Sequence, residues 1–495
     1  MGSGKSPKRV KADTFSHLMH LGSRDFEAGK LDAKPITTMG WFYFAEPVDM
    51  EVLRNEVHEK LVDKVFRYRA VPRERKGWTY WEEAGPIDDA YHFQHHAGFE
   101  DEQHWQEYLQ QLVDDGLDYS KPWWRYVVVD KLPCGRAAVI GIADHTHADG
   151  ASAVSALLSM CEGQGDNPVF SKKTSSGAGS KKGKRAAGRG RKLSGYERLV
   201  ALWEGVWGPI SEQILANDVQ SRLKQPSGKF PKHWRFATTP PGEHLDVKML
   251  KEIKDRVPGA TVNDVMLALT ALGIKEYYKS INDPIMQGTA DLRGTLAANV
   301  RPSGVDYLSD KWFGNHIVVQ TARYPLHEGR VETLLSFRDQ SRMRKASPDM
   351  IVRRYLMEAM SYLPRDKVVE IVVEANAKFS IMISNVLFSL TKLSLFGQEI
   401  EDVRFVACSP LGFYAGAATY VDKVSFGLVA TEDVKTDPSV MLPLFRSECE
   451  KLHKEVMALD PDYFEKQDKP LAVSPALVSA LAALLVAILL SVLLL

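Results

Sequence analysis

The chain alternates and repeats in ways that predict a mixed fold. Ile36–Phe44, Tyr126–Asp130 and Ala137–Ala143 are short runs of β-branched and aromatic residues and are expected as strands, while Met50–Val65 and Asp101–Gly116 have helical spacing of apolar positions. Further on, Thr261–Lys275 and His327–Lys345 are expected as helices. His316–Ala322, Lys378–Ile383, Val403–Val406 and Lys423–Ala430 are expected as strands. Helices and strands mix in both halves, which gives an α/β or mixed α+β class with two lobes. No short tandem repeat is present.

Two stretches break this rhythm. Residues 471–495 contain no charge at all, and from Pro475 onward they would form a helix of about 31 Å, enough to cross a bilayer. With Lys466, Asp468 and Lys469 just before it, this segment is expected to be a transmembrane tail anchor with the body facing the cytosol. No signal-peptide-like apolar region precedes residue 24. The second stretch, residues 171–192, holds nine basic residues and no acid. It is expected to be a disordered linker, and two readings of it stand together: a solvated connector and a contact with anionic lipid. Residues 1–24 are expected to be flexible. Met1–Ser6 fits an N-myristoylation pattern as well as it fits a flexible terminus. The expected organisation is therefore 1–24, an N-terminal lobe at 25–170, the linker at 171–192, a C-terminal lobe at 193–470, and the anchor at 471–495.

Composition narrows the function little. The 495 residues are 44% hydrophobic and 25% charged, as in ordinary globular proteins, and 63 Lys plus Arg balance 63 Asp plus Glu. No overall field draws the chain to nucleic acid. The four cysteines are too far apart for a disulfide framework, which suits a reducing compartment.

Chemistry concentrates at Asp144–Gly150, which reads DHTHADG between an expected strand and an apolar helix at Ala151–Met160. At such a junction His145 can stand at a cleft with its second ring nitrogen held by a carbonyl, as a general base requires. Asp149 can turn away and pair with an Arg, and Gly150 removes a Cβ where backbones approach. Two other readings remain: His145 as a core histidine, and Asp144, His145, His147 and Asp149 as metal ligands, against which no further ligand cluster appears.

HTHADG resembles the HHxxxDG motif of the wax ester synthase/diacylglycerol acyltransferase family, within the chloramphenicol acetyltransferase-like superfamily. Asp25-Phe26, Pro122-Trp123-Trp124, Thr261–Ala268 (TVNDVMLA), Gly314-Asn315 and Ser384-Asn385-Val386 resemble further family motifs in the same order, so the resemblance spans about 25–457. It implies two chloramphenicol acetyltransferase-like lobes. It also implies transfer of an acyl group from acyl-CoA, as co-substrate without other cofactor or metal, to a fatty alcohol, diacylglycerol or both. His145 matches the family's base, and Asp149 and Gly150 its structural pair. Asn263 and Asp264 match a pair that supports the site, although a helix cap explains Asn263 equally. Gly314, Asn315, Ser384 and Asn385 would lie near substrate, and a turn after a strand explains the last two as well. Two departures stand out: Asp144 replaces the first His of the motif, and Val386–Ser389 lacks the family's Pro-Gly. They keep open a catalytically silent lipid-binding or lipid-transfer protein. A condensation-type enzyme would need a carrier segment, and none is evident. The family's substrates point to endoplasmic reticulum or lipid-droplet membranes.

Overall fold

The structure, a computed structural model, describes residues 8–27, 36–162, 190–212, 217–225, 231–468 and 470, together with four positions of the last stretch. The first half of the chain supplies Thr37–Phe44 (β1), Phe93–His96 (β2), Trp124–Val129 (β3) and Ala137–Asp144 (β4). The second supplies Trp234–Thr238 (β5), Leu292–Asn299 (β6), Ile317–Tyr324 (β7), Ile381–Ser389 (β8), Asp402–Ala407 (β9), Phe413–Tyr420 (β10) and Lys423–Thr431 (β11). One sheet has the order β9-β1-β4-β3-β2. The other runs β7-β6-β8-β10-β11-β5, with the short strand Leu245–Asp246 beside β11. The helices used below are Thr14–Glu27 (α1), Glu102–Asp115 (α2), Gly150–Met160 (α3), Gly195–Ser211 (α4), Val262–Ser280 (α5), Arg330–Ala346 (α6), Asp349–Met360 (α7), Arg365–Asn376 (α8) and Leu442–Ala458 (α9).

The first sheet is sandwiched. Strand β1 alternates with period two, sending Met39, Trp41 and Tyr43 into one core and Phe42 and Phe44 into the other. The first core is closed by Trp105, Leu109 and Leu112 of α2, and the second by Val154, Leu157 and Met160 of α3. Strand β4 is buried on both faces, which is why its sequence is a near-continuous apolar run. In the second lobe α5 is buried almost all round, between the sheet and helices α6 and α9.

Four expectations need revision. Strand β9 lies in the second half of the chain but completes the first sheet, pairing antiparallel with β1 so that Val403 faces Phe42. The two lobes therefore do not divide at the linker. The N-terminal region is not wholly loose: Arg9–Lys11 pairs with Trp78–Glu83, and α1 buries Ser16, His17 and His20. Ser16 and His17 enter the interior through hydrogen bonds to the Thr146 carbonyl and the Thr79 hydroxyl, while Phe15, Leu18 and Met19, at helical spacing, are half-buried. Strand β8 runs on through Ser384 and Asn385, which pair in parallel with Gly416 and Ala417 of β10, so they occupy a strand and not a turn. Finally, the linker's last residues are folded: Arg191 pairs with Glu197 and with Asp468. The remainder of the linker through residue 189, the Met1–Ser6 motif and nearly all of 471–495 lie outside the described residues. Among the described residues no helix is long and apolar enough to cross a membrane.

Candidate active site

Strand β4 carries the chain to the seam between the lobes, and α3 takes it away. The backbone N–H of His145 donates to the Ile36 carbonyl at 2.8 Å, which fixes the start of the loop. Asp149 is the N-cap of α3, and its Oδ1 accepts from the Ser152 N–H at 2.9 Å. Its other oxygen accepts from Arg301 Nη1 at 2.8 Å and from the His316 N–H at 2.9 Å. The Arg301 side chain is wholly buried and also donates to the carbonyls of Trp312 and Gly314 and to the Ser152 hydroxyl. One guanidinium thus ties the N-terminal-lobe loop to the segment 312–316 of the C-terminal lobe.

That segment presents Asn315 to His145. Asn315 Nδ2 donates to the carbonyls of His145 and Thr146, at 2.7 and 3.1 Å, so its Oδ1 must be the atom that meets His145 Nδ1 at 3.0 Å. An amide oxygen only accepts. His145 Nδ1 therefore carries the proton, and Nε2 keeps its lone pair. The ring is half-buried, and Nε2 meets no hydrogen-bond partner among the described residues. A half-buried imidazole with an open Nε2 can take a proton from a bound hydroxyl.

A second layer holds the same loop. Arg67 Nη1 donates to Ser16 Oγ and to the carbonyls of Thr146 and His147, while its Nη2 pairs with Asp13 at 2.6 Å. Asp13 also accepts from the Asn315 N–H, and Ser16 Oγ from Asn315 Nδ2. Burial alone would raise the Asp13 carboxyl, but the adjacent Arg67 cation and further contacts hold it below the usual carboxylate range. Gly314 sits at φ 143°, and a Cβ there would collide with Arg67 and Asp13. The glycine lets these two charges approach the backbone.

The departing residue of the motif is turned inward. Asp144 is buried, with Oδ1 accepting from the Thr146 N–H at 2.7 Å and Oδ2 from the Tyr119 hydroxyl at 3.1 Å. Burial raises its carboxyl above the ordinary value. His147 is enclosed by Tyr68, Trp81 and Phe313, neither ring nitrogen has a hydrogen-bond partner among the described residues, and burial pushes it down to about 3. Asp149 is engaged by Arg301. The four residues of the metal reading therefore turn in different directions, and among the described residues no group of three metal-type side chains converges.

Family models match almost the whole of this architecture. The wax ester synthase/diacylglycerol acyltransferase catalytic domain matches residues 11–266, and the C-terminal domain of the same family matches 313–453. The chain belongs to the WS/DGAT family. It is an acyltransferase with the mixed α/β, two-lobed condensation-like fold. The comparison with curated proteins gives no match. Among solved structures, a wax ester synthase/diacylglycerol acyltransferase from Marinobacter aquaeolei VT8 is 18% identical, with a TM-score of 0.56 over 86% of this chain and 95% of its own. A trichothecene 15-O-acetyltransferase from Fusarium sporotrichioides is 8% identical, with a TM-score of 0.58 over 91% and 97%. A starter condensation domain of rhizomide synthetase, solved with C8-CoA, is 10% identical, with a TM-score of 0.54 over 91% and 94%.

Within this WS/DGAT chain the expected residues separate into groups. His145, Asp149, Gly314 and Asn315 come together as one hydrogen-bonded cluster. Gly150 is exposed at the first turn of α3, and a Cβ on it would press on Val386 of β8 at 3.3 Å, which brings the opposite lobe close. Asn385 is exposed on that strand and Ser384 is half-buried beside Tyr414. Asp264 does not reach the cluster. It closes a capping box with Thr261 at the start of α5 and bonds Ser341 of α6, whereas Asn263 beside it is exposed. The helix-cap reading describes this pair. Sequence reasoning missed Arg301, Arg67, Asp13 and Ser16. Asp13, which bonds Arg67 and the Asn315 N–H, lies in the stretch expected to be flexible, and no motif marks it.

Proposed function

We propose that this acyltransferase moves a fatty acyl group from acyl-CoA to a long-chain alcohol, to diacylglycerol or to both, with His145 as the general base. The observation that carries the reading is the Asn315–His145 bond, which leaves Nε2 basic and open at the seam. In this reaction Nε2 takes the hydroxyl proton as the acceptor oxygen attacks the thioester carbonyl. The tetrahedral intermediate then expels the CoA thiolate, which recovers the proton from the imidazolium, and ester and free CoA leave. Such base catalysis contributes about 10² to 10⁴-fold. No cofactor enters beyond the acyl-CoA co-substrate. The C8-CoA held by a condensation domain of this fold supports a thioester donor here.

The inward placement of Asp144 supports an enzyme over a silent lipid-binding protein, because the departure from the family motif lies away from the base. Lipid-soluble acceptors suit a body tethered by residues 471–495 to an endoplasmic reticulum or lipid-droplet membrane, facing the cytosol. The test is His145→Ala, assayed with labelled acyl-CoA against hexadecanol and diacylglycerol. Ester formation is expected to fall by about 10²-fold or more with the thermal transition unchanged. Near-normal ester synthesis in that variant would refute the mechanism.

A further inference from the structure

Helix α4 is built inside out. Its buried residues are the small Ala201, Gly205 and Pro209 together with Glu197, which pairs with Arg191, and a Cβ on Gly205 would collide with Ser347 and Pro348 at the start of α7. The opposite side carries Leu199, Trp203, Val206 and Ile210, flanked by Leu202 and Trp207, with the two indoles stacked 5.9 Å apart. Leu202, Trp207 and Ile210 are exposed. A helix that is apolar on its outward side normally has another layer over it.

Helix α7 continues this surface. It is held against α4 by Arg353, which pairs with Glu212 at 2.6 Å. Ile351 and Tyr355, one turn apart, are 61% and 66% exposed, and Tyr362 just beyond the helix is 71% exposed. Arg354 lies exposed between them. Large aromatic and aliphatic side chains bordered by a cation are what the headgroup boundary of a bilayer accepts.

What meets this surface is indicated by the corner from which α4 starts. The Arg191 N–H and side chain bind Asp468, and Arg342 binds the same carboxylate at 2.6 Å. Arg191 is next to last of the nine basic residues of 171–192, and Asp468 stands just before the uncharged residues 471–495. One ion cluster therefore joins the segment suited to anionic headgroups to the segment suited to hydrocarbon, at the end of the apolar helix.

We propose that the outward face of α4 and α7 docks on the surface of a bilayer containing anionic lipid, as a second contact besides the tether. The contact sets the orientation of the body. Helix α1, whose Ser16 bonds Asn315, lies against this region: Arg365 of α8 donates to the Leu21 carbonyl, and Tyr362 leans on Trp78 at 5.8 Å. Docking thus brings lipid to within one helix of the His145 cluster. The inference builds on the membrane reading above, and its test does not depend on catalysis.

The full chain is mixed with phosphatidylcholine/phosphatidylserine vesicles whose acyl chains carry bromine, and tryptophan emission is compared with that on plain vesicles. The wild type is expected to be quenched, and Trp203→Phe/Trp207→Phe to lose most of that quenching, since seven of the other eight indoles are buried and the eighth, Trp312, lies at the His145 seam away from this face. Ile351→Ser/Tyr355→Ser is expected to weaken it while leaving the thermal transition in place. Quenching that is absent, or that persists without Trp203 and Trp207, overturns the proposal. A second copy of the chain or residues 471–495 seated on the face would shield both indoles and give that negative result. A wild type that is quenched but forms no ester from acyl-CoA with either acceptor would instead count against the catalytic reading alone.

Discussion

Asn315 decides what His145 can do, because an amide oxygen at Nδ1 fixes one tautomer without adding charge. Asn315→Asp would put a carboxylate there, favouring the imidazolium, and a charge at that distance raises a histidine by about one pH unit or more. The acid limb of the kcat/KM profile is expected to move to higher pH; a purely structural role for Asn315 would lower activity and leave the limb in place. His147, two residues away, acts on stability instead. Its ring is pushed down to about 3 in the folded chain by burial, whereas an unfolded histidine titrates near 6.5. As pH falls below 6.5 the unfolded chain takes up a proton that the folded chain refuses, so stability is full above that pH and declines towards 3. The part due to His147 amounts to about 2 kcal/mol between pH 7 and pH 5. Urea unfolding at the two pH values should show this loss in the wild type reduced by that amount in His147→Leu.

The elements around the site are held by their ends. Asp149 caps α3 and Arg301 locks the cap to the 312–316 segment, so helix, loop and opposite lobe share one buried ion pair. Arg301→Leu would strand the Asp149 carboxylate and two carbonyls. Breaking a buried pair from one side costs about 3–5 kcal/mol, expected here as a lower urea midpoint. The partial legibility of the site follows from the same arrangement. Asp149 and Gly150 are contiguous with His145 and could be read in one glance. Arg301 is 152 residues distant from Asp149, at the end of a strand with no motif around it. Asp264 resembles a site residue in sequence, yet its carboxylate is spent on the Thr261 N–H and on Ser341, a local role that a capping-box pattern already permits.

At the scale of the whole molecule, the seam depends on strand β9 crossing from one half of the chain into the other lobe's sheet. Gly427 of β11 lies where the sheets meet, and a Cβ there would strike the Phe405 carbonyl and press on Val406 of β9 at 3.0 Å. Backbone yields less than a side-chain tip. Gly427→Ala is expected to lower stability by about 1–3 kcal/mol in urea unfolding and to reduce acyl transfer by shifting the lobes.

Strands and helices with strong periodicity, such as Thr37–Phe44, Glu102–Asp115 and Lys423–Thr431, were readable from sequence because burial on one or both faces dictates which residues they use. The same was true of the His145 motif, whose parts are adjacent. By itself, then, the sequence determined the mixed class, the motif loop and the apolar and basic stretches. Only the tertiary structure decided that β9 belongs to the first sheet, that α1 turns Ser16, His17 and His20 inward, that Asn315 holds His145 Nδ1, and that Arg301 joins the site. Those outcomes rest on hydrogen bonds and ion pairs between residues far apart in the chain, and such pairs leave no local pattern of hydrophobic and polar positions to read.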